Sequence, residues 1–275
     1  MSTDTRSARE IHERWMLFRD HRDEALASAH CWLTLTSFQW LPSEPAALEL
    51  VPGLWSTDGA SATLTASAAD GLTELATARP LTGTVTATLG EEESLSWVAY
   101  GGADGRRTEV ELARRGGRYA LRTRDAEAPT LTGFTGVPTF DYRPDLVVPG
   151  RFSPLPAPLE EAIRTAHPEV PGTHLTAGEV CFRLPGQEVE FRLHASQDDD
   201  GSLSVTFHDG TNGVSTAGWR RLGIAAPRAD GAVVLDFNRA VNYPSAFTPY
   251  GTCPMPVATN RVEASIEAGE KDPLR

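Results

Sequence analysis

Residues 179–207 read EVCFRLPGQEVEFRLHASQDDDGSLSVTF, and this stretch decides the fold class. A Pro-Gly pair and an Asp-Asp-Asp-Gly run are turn signals, and they separate three short β-prone segments. In the second segment, apolar and polar residues alternate, which is the period of a half-buried strand. The stretch therefore predicts three consecutive strands joined by tight turns.

The same features recur along the chain. Residues 81–89, LTGTVTATL, alternate strictly with threonine, and two segments around Gly116-Gly117 have the pattern of a hairpin. Strands are predicted at 31–41, 81–89, 94–100, 108–113, 118–124, 179–184, 188–194, 202–207, 233–237 and 262–266. Many short strands with regular turns predict a mainly β fold, either an antiparallel β-barrel or a β-sandwich. Such folds commonly hold a ligand in the barrel mouth or between the sheets.

One long helix is predicted at residues 7–29. Ser7-Ala8-Arg9-Glu10 fits the S-x-x-E capping box. Apolar side chains then recur near the helical period, at Ile11, Trp15, Phe18 and Leu26. We expect residues 1–30 to form an N-terminal helix that packs on the core or on a partner, such as the second subunit of a homodimer.

The remaining residues, 31–275, are predicted to form a β-rich domain, either as one body or as two halves at 31–150 and 151–275. A proline-rich stretch, 129–171, lacks a clear period and is interpreted as a crossover or a lid. Within it, residues 159–166 are predicted to form a short helix.

The composition is that of a globular protein, with 40% apolar residues among 275. The 25 basic and 37 acidic residues give a net charge of −12, which disfavours nucleic acid and anionic membranes as partners. The polar N-terminus has no apolar signal region, so a cytoplasmic location is expected. Of the basic residues, only Lys271 is lysine, and the arginine-rich composition suggests a high-GC genome such as that of an actinobacterium.

Motifs for common cofactors are absent from the sequence. The three cysteines form no C-x-x-C, and the seven histidines form no H-x-H or H-E-x-x-H. Neither a Walker loop, nor G-x-G-x-x-G, nor G-x-S-x-G occurs. We therefore expect no metal and no organic cofactor.

The first candidate site lies in the sequence FHDGTNG at 207–213. Asp and Asn beside Gly are typical of a hairpin loop, in which the side chains bond to nearby backbone. The functional alternative is a pair at a cavity mouth, formed by Asp209 with Arg221 or with His208.

The second candidate site follows an apolar strand that runs directly into Asp236, Asn238 and Asn242. A carboxylate at a strand end beside an aromatic residue would be partly desolvated, which suits acid–base work. Alternatively, these side chains fold the loop through local hydrogen bonds.

The third candidate site contains Cys253, Asn260 and Arg261. A reactive cysteine needs an activating neighbour, and the histidine partners available are His167, His174, His194 and His208. The structural alternative, a small buried residue in a proline-fixed loop, is favoured for Cys253.

The C-terminal part contains D-x-T-x-G from Asp209, DFN-x-A-x-N-x-P from Asp236, CP-x-P from Cys253, Asn260-Arg261 and AGEK at 268–271, and earlier parts contain WLTL with WL at 32–41 and GFTG at 133–136. Together these segments resemble a bacterial family, "domain of unknown function 1684", along most of the chain after the helix. The resemblance implies a shared scaffold, but this family has no established activity. The chain differs from the family pattern in having Ala217 for Tyr, Arg220 for Gly and Ser245 for Cys. These differences suggest an altered pocket and a specialised member, such as an enzyme of secondary metabolism.

The sequence favours a cofactor-independent enzyme that acts on a small organic molecule in a β-lined pocket. The reaction would be a hydrolysis, dehydration, isomerisation or cyclisation. Catalytic acid–base candidates are Asp236, Asp209 and Glu270. Substrate-binding candidates are Asn238, Asn242, Cys253, Asn260, Arg261, Arg221 and His208. The alternatives are a non-catalytic small-molecule-binding protein and an interaction protein that uses the N-terminal helix.

Overall fold

The structure is a computed structural model, and it describes residues 2–102 and 107–274. The chain divides into two compact units. Unit 1 comprises Met1–Ala25 and Thr135–Arg275, and unit 2 comprises Leu26–Phe134. Unit 1 is thus built from two separate segments of the chain.

The predicted long helix is present as α1 (Ser2–Ala27). It begins upstream of the predicted capping box, and the side chain of Ser7 lies outside the described residues. Within unit 1, Arg19 is buried on one face of α1, whereas Ile11 and Leu17 are largely exposed. One face of the helix is therefore buried, and a charged side chain forms part of that face.

Unit 2 contains two antiparallel sheets. The strands are β1 (Leu35–Trp40), β2 (Ala46–Leu48), β3 (Val51–Thr57), β4 (Ala62–Ala66), β5 (Thr73–Glu74), β6 (Gly83–Ala87), β7 (Ser94–Gly101), β8 (Arg107–Arg115) and β9 (Arg118–Asp125). One sheet has the order β1-β9-β8-β7-β5 and the other β2-β3-β4-β6. A short helix, α2 (Pro129–Thr132), follows.

Both sheets of unit 2 contribute to one hydrophobic core. Trp55 on β3 and Trp97 on β7 meet edge to face, with ring centroids 5.6 Å apart. Leu64 on β4 and Leu112 on β8 are fully buried in the same cluster. Sheets that share a core in this way form a sandwich.

A buried ion network crosses β8 and β9 in unit 2. Arg122 Nη1 donates to Glu111 Oε1 at 3.0 Å, and Arg124 Nε donates to Glu111 Oε2 at 2.8 Å. Arg124 also donates to the backbone oxygens of His30 and Cys31. The network therefore ties the start of unit 2 to its central strands.

Unit 1 contains a seven-stranded antiparallel sheet. Its strands are β10 (Val147–Ile163), β11 (Gly172–Arg183), β12 (Glu190–Gln197), β13 (Leu203–Phe207), β14 (Arg220–Ile224), β15 (Ala232–Asp236) and β16 (Val241–Asn242). Their order is β15-β10-β11-β12-β13-β14-β16. The boundary predicted between residues 150 and 151 falls inside β10.

The helix predicted at 159–166 is wrong, because β10 continues through residue 163 and pairs with β11. Residues 147–163 of the segment interpreted as a crossover or lid are thus a long strand. Its prolines at 154, 156 and 158 lie at or within the register shift between Pro154 and Leu159, where the ladder with β11 is interrupted. Proline is tolerated there because it has no N–H to contribute.

The strand predicted at 262–266 is also wrong. Val262 and Ile266 are buried as the alternation predicted, but the segment bonds to a loop instead of joining a ladder. Val262 N donates to His208 O at 2.8 Å, and Gly210 N donates to Ala264 O at 2.8 Å. Alternation predicted the burial correctly but could not show which backbone would be the partner.

The predicted fold class is confirmed: the protein is mainly antiparallel β with one long N-terminal helix. Among the described strands, no sheet returns in its hydrogen-bonded order to its first strand, so of the two predicted forms a sandwich fits. No helix in the described part of the chain is long and apolar enough to cross a membrane.

Candidate functional site

A cleft of about 460 Å³ lies in unit 1 between α1 and the end of β15. Four of its eight lining residues are apolar and four are polar: Ile11, Trp15, Leu17 and Phe18, and Arg14, His21, Asp236 and Arg239. It therefore contains Asp236, the leading acid–base candidate. Two other clefts of unit 1, of about 510 and 490 Å³, contain none of the predicted site residues.

Helical periodicity gives one wall of this cleft. Residues 11, 15, 18 and 21 follow at i, i+4, i+7 and i+10, which places them on one stripe of α1. The opposite wall is the turn that ends β15, a single 3₁₀ turn at Phe237–Arg239. The predicted pocket was β-lined, whereas here a helix supplies most of the lining because its aromatic face lies at the strand end.

Asp236 caps the 3₁₀ turn. Its Oδ1 accepts from Asn238 N at 3.1 Å and from Asn238 Nδ2 at 2.9 Å. The half-buried carboxylate thereby combines the local loop role with a place in the cleft lining. Both sequence interpretations of this residue are compatible with its position.

Asn238 is buried beneath the cleft and holds the adjoining loop. Its Oδ1 accepts from Arg143 N at 2.7 Å, and its Nδ2 donates to Arg143 O at 2.9 Å. The backbone oxygen of Asn238 accepts from Trp15 Nε1 at 3.1 Å. Asn238 thus orients Trp15 and Asp236, and its side-chain amide forms the hydrogen bonds that hold the loop.

Tyr142 lies beside Trp15, with ring centroids 5.6 Å apart. Partial burial raises the pKa of Tyr142, and the negative charge of Asp236 raises it further. The phenol is therefore held in its neutral form, in which it can donate a hydrogen bond near the carboxylate.

Glu270 fixes α1 to the C-terminal segment. Its fully buried carboxylate accepts from Arg19 Nη1 at 2.8 Å, from Arg22 Nε at 3.0 Å and from Asn242 N at 2.6 Å. Gly269 has a φ of +78°, and a Cβ there would lie 2.5 Å from Ala240 O, so only glycine allows the approach. These contacts occupy both carboxylate oxygens and favour a structural role over the predicted catalytic one.

Asp209 forms a second buried network. Its Oδ2 accepts from Arg220 Nη2 at 2.7 Å, and its Oδ1 accepts from Thr211 N at 2.8 Å and from Ile266 N at 3.3 Å. The side chains of Asp209 and Arg220 are both inaccessible to solvent. The predicted partners, Arg221 and His208, are not the ones it uses, because Arg220 points into the core and Arg221 to the other face.

Asn242 and Asn260 are both buried and bonded to backbone. Asn242 Nδ2 donates to Lys271 O at 2.7 Å, and its Oδ1 has no hydrogen-bond partner within the described residues. Asn260 Oδ1 accepts from His194 N at 2.7 Å, and its Nδ2 donates to the backbone oxygens of His194 and Thr206, each at 2.9 Å. Both amides therefore hold chain segments together outside the cleft.

The other four candidates also lie outside the cleft lining. Arg221 Nε donates to Ser204 Oγ at 2.7 Å, and His208 Nδ1 is 2.9 Å from Gly218 O. Arg261 is exposed, and Cys253 is buried with its backbone oxygen bonded to Ala166 N. The structure thus brings only Asp236 of the predicted residues into the cleft, with Asn238 beneath it.

One polar cluster on the seven-stranded sheet was not proposed as a site from the sequence. His194 Nδ1 lies 2.7 Å from Glu161 Oε2, which also accepts from Thr176 Oγ1. Although burial opposes it, hydrogen bonds from Thr176 and His194 hold the pKa of Glu161 below its ordinary value. Burial lowers the pKa of His174, the cross-strand neighbour of Glu161. Strand alternation could have predicted the face of the sheet on which His194 lies. Glu161 could not be assigned to the same face, because residues 159–166 were predicted to be helical.

Arg14, His21 and Arg239 were also missed. The helical spacing of α1 places Arg14 and His21 beside Trp15 and Phe18, so the sequence contained a signal for these two residues. Arg14 was overlooked because arginine is so common in this chain. No group of three or more His, Cys, Asp or Glu side chains among the described residues is arranged to hold a metal ion.

Comparison of the chain with models of known families shows the family to which it belongs. The model of the family described as "Protein of unknown function (DUF1684)" matches residues 132–271, half of the chain. The chain belongs to the DUF1684 family. The predicted resemblance is thereby confirmed for residues 132–271, and this DUF1684 region includes the whole seven-stranded sheet together with Asp236 and Arg239.

The DUF1684 match does not include α1, so the helical wall of the cleft is outside the family region. Among solved structures, the chain is similar to an uncharacterized protein of Haloarcula marismortui determined by solution NMR. The two are 27% identical over 51% of this chain and 78% of that one, with a TM-score of 0.42. No curated protein matches the chain.

Proposed function

We propose that this DUF1684 protein is a cofactor-independent enzyme that acts on a small organic molecule in the α1 cleft, with Asp236 as the acid–base group. The observation that carries the proposal is the position of Asp236 in a cleft with Trp15 and Phe18. A carboxylate beside aromatic rings and a neutral phenol can exchange a proton with a bound molecule.

The chemistry needs no external reagent. The Asp236 carboxylate accepts a proton from a C–H or O–H of the bound molecule and returns it to another atom of the same molecule. Isomerisation, dehydration and cyclisation follow from such a transfer, and hydrolysis follows when the proton comes from water. A cytoplasmic role in the biosynthesis of a small metabolite belongs to the same proposal.

Asp236→Asn tests the proposal. The amide retains the Oδ1 acceptor that caps the turn, so folding should be preserved while proton transfer is lost. The purified protein would be incubated with the small-molecule extract of the producing cells, and substrate loss followed by mass spectrometry. We expect a fall in rate of about 100-fold or more, whereas the exposed Asp20→Asn should match wild type.

A non-catalytic binding protein is the second candidate, and the hydrogen bonds that tie Asp236 Oδ1 to Asn238 favour it. In that case compounds from the extract would bind and be recovered unchanged by wild type and by Asp236→Asn. Equal turnover by both proteins would contradict the acid–base role. The third sequence hypothesis, a partner or homodimer contact through the helix, stays a prediction.

A further inference from the structure

We propose that the ligand of the α1 cleft is a small planar anion, a carboxylate on an aromatic or similarly flat apolar body, and that Arg14 and Arg239 bind its charge. This inference rests on the proposed function, because it names the ligand class of the same cleft.

The arginines of this region differ in what their guanidinium groups bind. Arg19 and Arg22 on α1 donate to Glu270 and to backbone oxygens of unit 1. The guanidinium groups of Arg14 and Arg239, in contrast, make no hydrogen bond or ion pair to any residue that the structure describes. Their donors are thus available at the cleft, and guanidinium groups bind carboxylates through two parallel hydrogen bonds.

The charge of the cleft is opposite to that of the chain. Acidic residues outnumber basic ones by 37 to 25 overall. In the cleft lining, two arginines and His21 accompany the single carboxylate of Asp236. A local excess of positive charge in an acidic protein attracts an anion while the rest of the surface repels it.

The apolar part of the lining fits a flat body. Trp15 is held by the bond from its Nε1 to Asn238 O, so its ring has a fixed orientation. The Arg239 guanidinium lies 4.5 Å from the centroid of the Phe18 ring, which positions the guanidinium beside an aromatic surface. Rigid aromatic rings with few free torsions bind flat molecules at a low cost in conformational entropy.

Asp236 determines the orientation of such a ligand. Two carboxylates repel each other at short range, so the ligand's negative group must lie at the arginines and its neutral part at Asp236. That neutral part is then the place where Asp236 exchanges a proton. The charge contacts orient the molecule, and the carboxylate of the protein acts at its other end.

A matched pair of probes tests the inference: 2-naphthoate, an anion, and 2-naphthamide, a neutral molecule of nearly the same shape. Affinity would be measured by calorimetry at low and high salt, and the location by the NMR resonance of the Trp15 indole N–H. We expect 2-naphthoate to bind about tenfold tighter than the amide, with the advantage reduced by salt.

Variants identify the groups responsible. Arg14→Gln and Arg239→Gln should each lower the affinity for 2-naphthoate about fivefold or more. The affinity for 2-naphthamide should be unchanged. Arg79→Gln, which removes an exposed arginine of unit 2, is the matched control and should bind both probes like wild type.

The outcomes separate the two proposals. Equal affinity for the two probes, or 2-naphthoate binding that both arginine variants retain, would overturn the anion inference and leave the cleft as a site. If neither probe shifts the Trp15 resonance, the anion inference fails together with the cleft as the ligand site.

Discussion

Asn260 replaces part of a sheet ladder with its side chain. The described pairing of β12 and β13 is limited to Ser196 and Gln197 with their partners, and beyond it the amide of Asn260 bonds to His194 and Thr206. The contact to His194 spans 66 positions in the sequence. Sequence patterns identified Asn260 as a polar motif residue but could not reveal so distant a partner.

Asn260→Asp should destabilise unit 1. The substitution keeps the acceptor for His194 N but replaces two donated hydrogen bonds with an oxygen facing two carbonyls. Leaving buried polar groups unpaired costs about 1–3 kcal/mol each, so we expect the free energy of unfolding to fall by about 3 kcal/mol. Urea denaturation measures it, with the exposed Arg261→Gln as control. An unchanged midpoint would instead favour the predicted substrate-binding role of Asn260.

Single residues in the cleft were unequally predictable. Asp236 could be predicted because an apolar strand runs directly into a carboxylate. Arg14 and Arg239 could not, because one arginine among 24 carries little information until its contacts are known. Only the tertiary structure shows whether a guanidinium group is hydrogen-bonded within the protein or is available to bind a ligand.

At the scale of elements, local pattern predicted nine of the sixteen described strands and missed β2–β5, β10, β14 and β16. The hairpin of β8 and β9 was predicted because two alternating segments flank a glycine pair. The long strand β10 was missed because its prolines suppress every strand signal. It is a strand because it forms hydrogen bonds with β15 and β11. The sequence of β10 alone does not indicate these partner strands.

Glu270 binds two arginines of helix α1, and Glu270→Gln tests how strongly the helix depends on this carboxylate. The variant leaves the buried charge of Arg19 without its carboxylate, and breaking a buried ion pair costs about 3–5 kcal/mol. We expect a loss of that size in urea unfolding and faster proteolysis within α1.

The exposed Glu267→Gln is the matched control for this variant and should lie within about 0.5 kcal/mol of wild type. If Glu270 served only catalysis, Glu270→Gln would unfold like the control and lose activity alone. Wild-type protection of α1 in the Glu270→Gln protein would show that the helix does not depend on this carboxylate.

At the scale of the whole molecule, the fold class could be predicted and the division into units could not. Alternation and turn signals are local, so they indicated an antiparallel β protein throughout. Unit 1 is discontinuous because α1 contacts distant parts of the chain, as Arg19 does with Glu270, 251 positions away. No pattern along the chain reports such a contact.

Stability should fall in acid, and Glu111 of unit 2 should contribute to the fall. Burial acts to raise its pKa, but the charges of Arg124 and Arg122, together with hydrogen bonds from Arg124 and Ser94, hold the pKa below the ordinary value of 4.5. The stabilisation is therefore complete above pH 4.5 and is lost as the pH falls through the lower, folded-state value.

Urea unfolding of wild type and Glu111→Gln at pH 6, 4 and 3 measures this contribution. The variant should be less stable at pH 6 and should lose less stability than wild type between pH 4 and 3. Parallel losses in the two proteins would show that Glu111 is not among the groups responsible.

The bond between Arg19 and Glu270 also bears on biosynthesis. Arg19 leaves the ribosome 251 residues before the carboxylate that it binds. At a translation rate of about 5–20 residues per second, on the order of 10–50 s pass between the synthesis of Arg19 and that of Glu270. All of unit 2 is synthesised within that interval, so its sheets can form while α1 is still unattached. The order of translation thus allows unit 2 to fold before unit 1, in which the bond between Arg19 and Glu270 can form only after Glu270 has been synthesised.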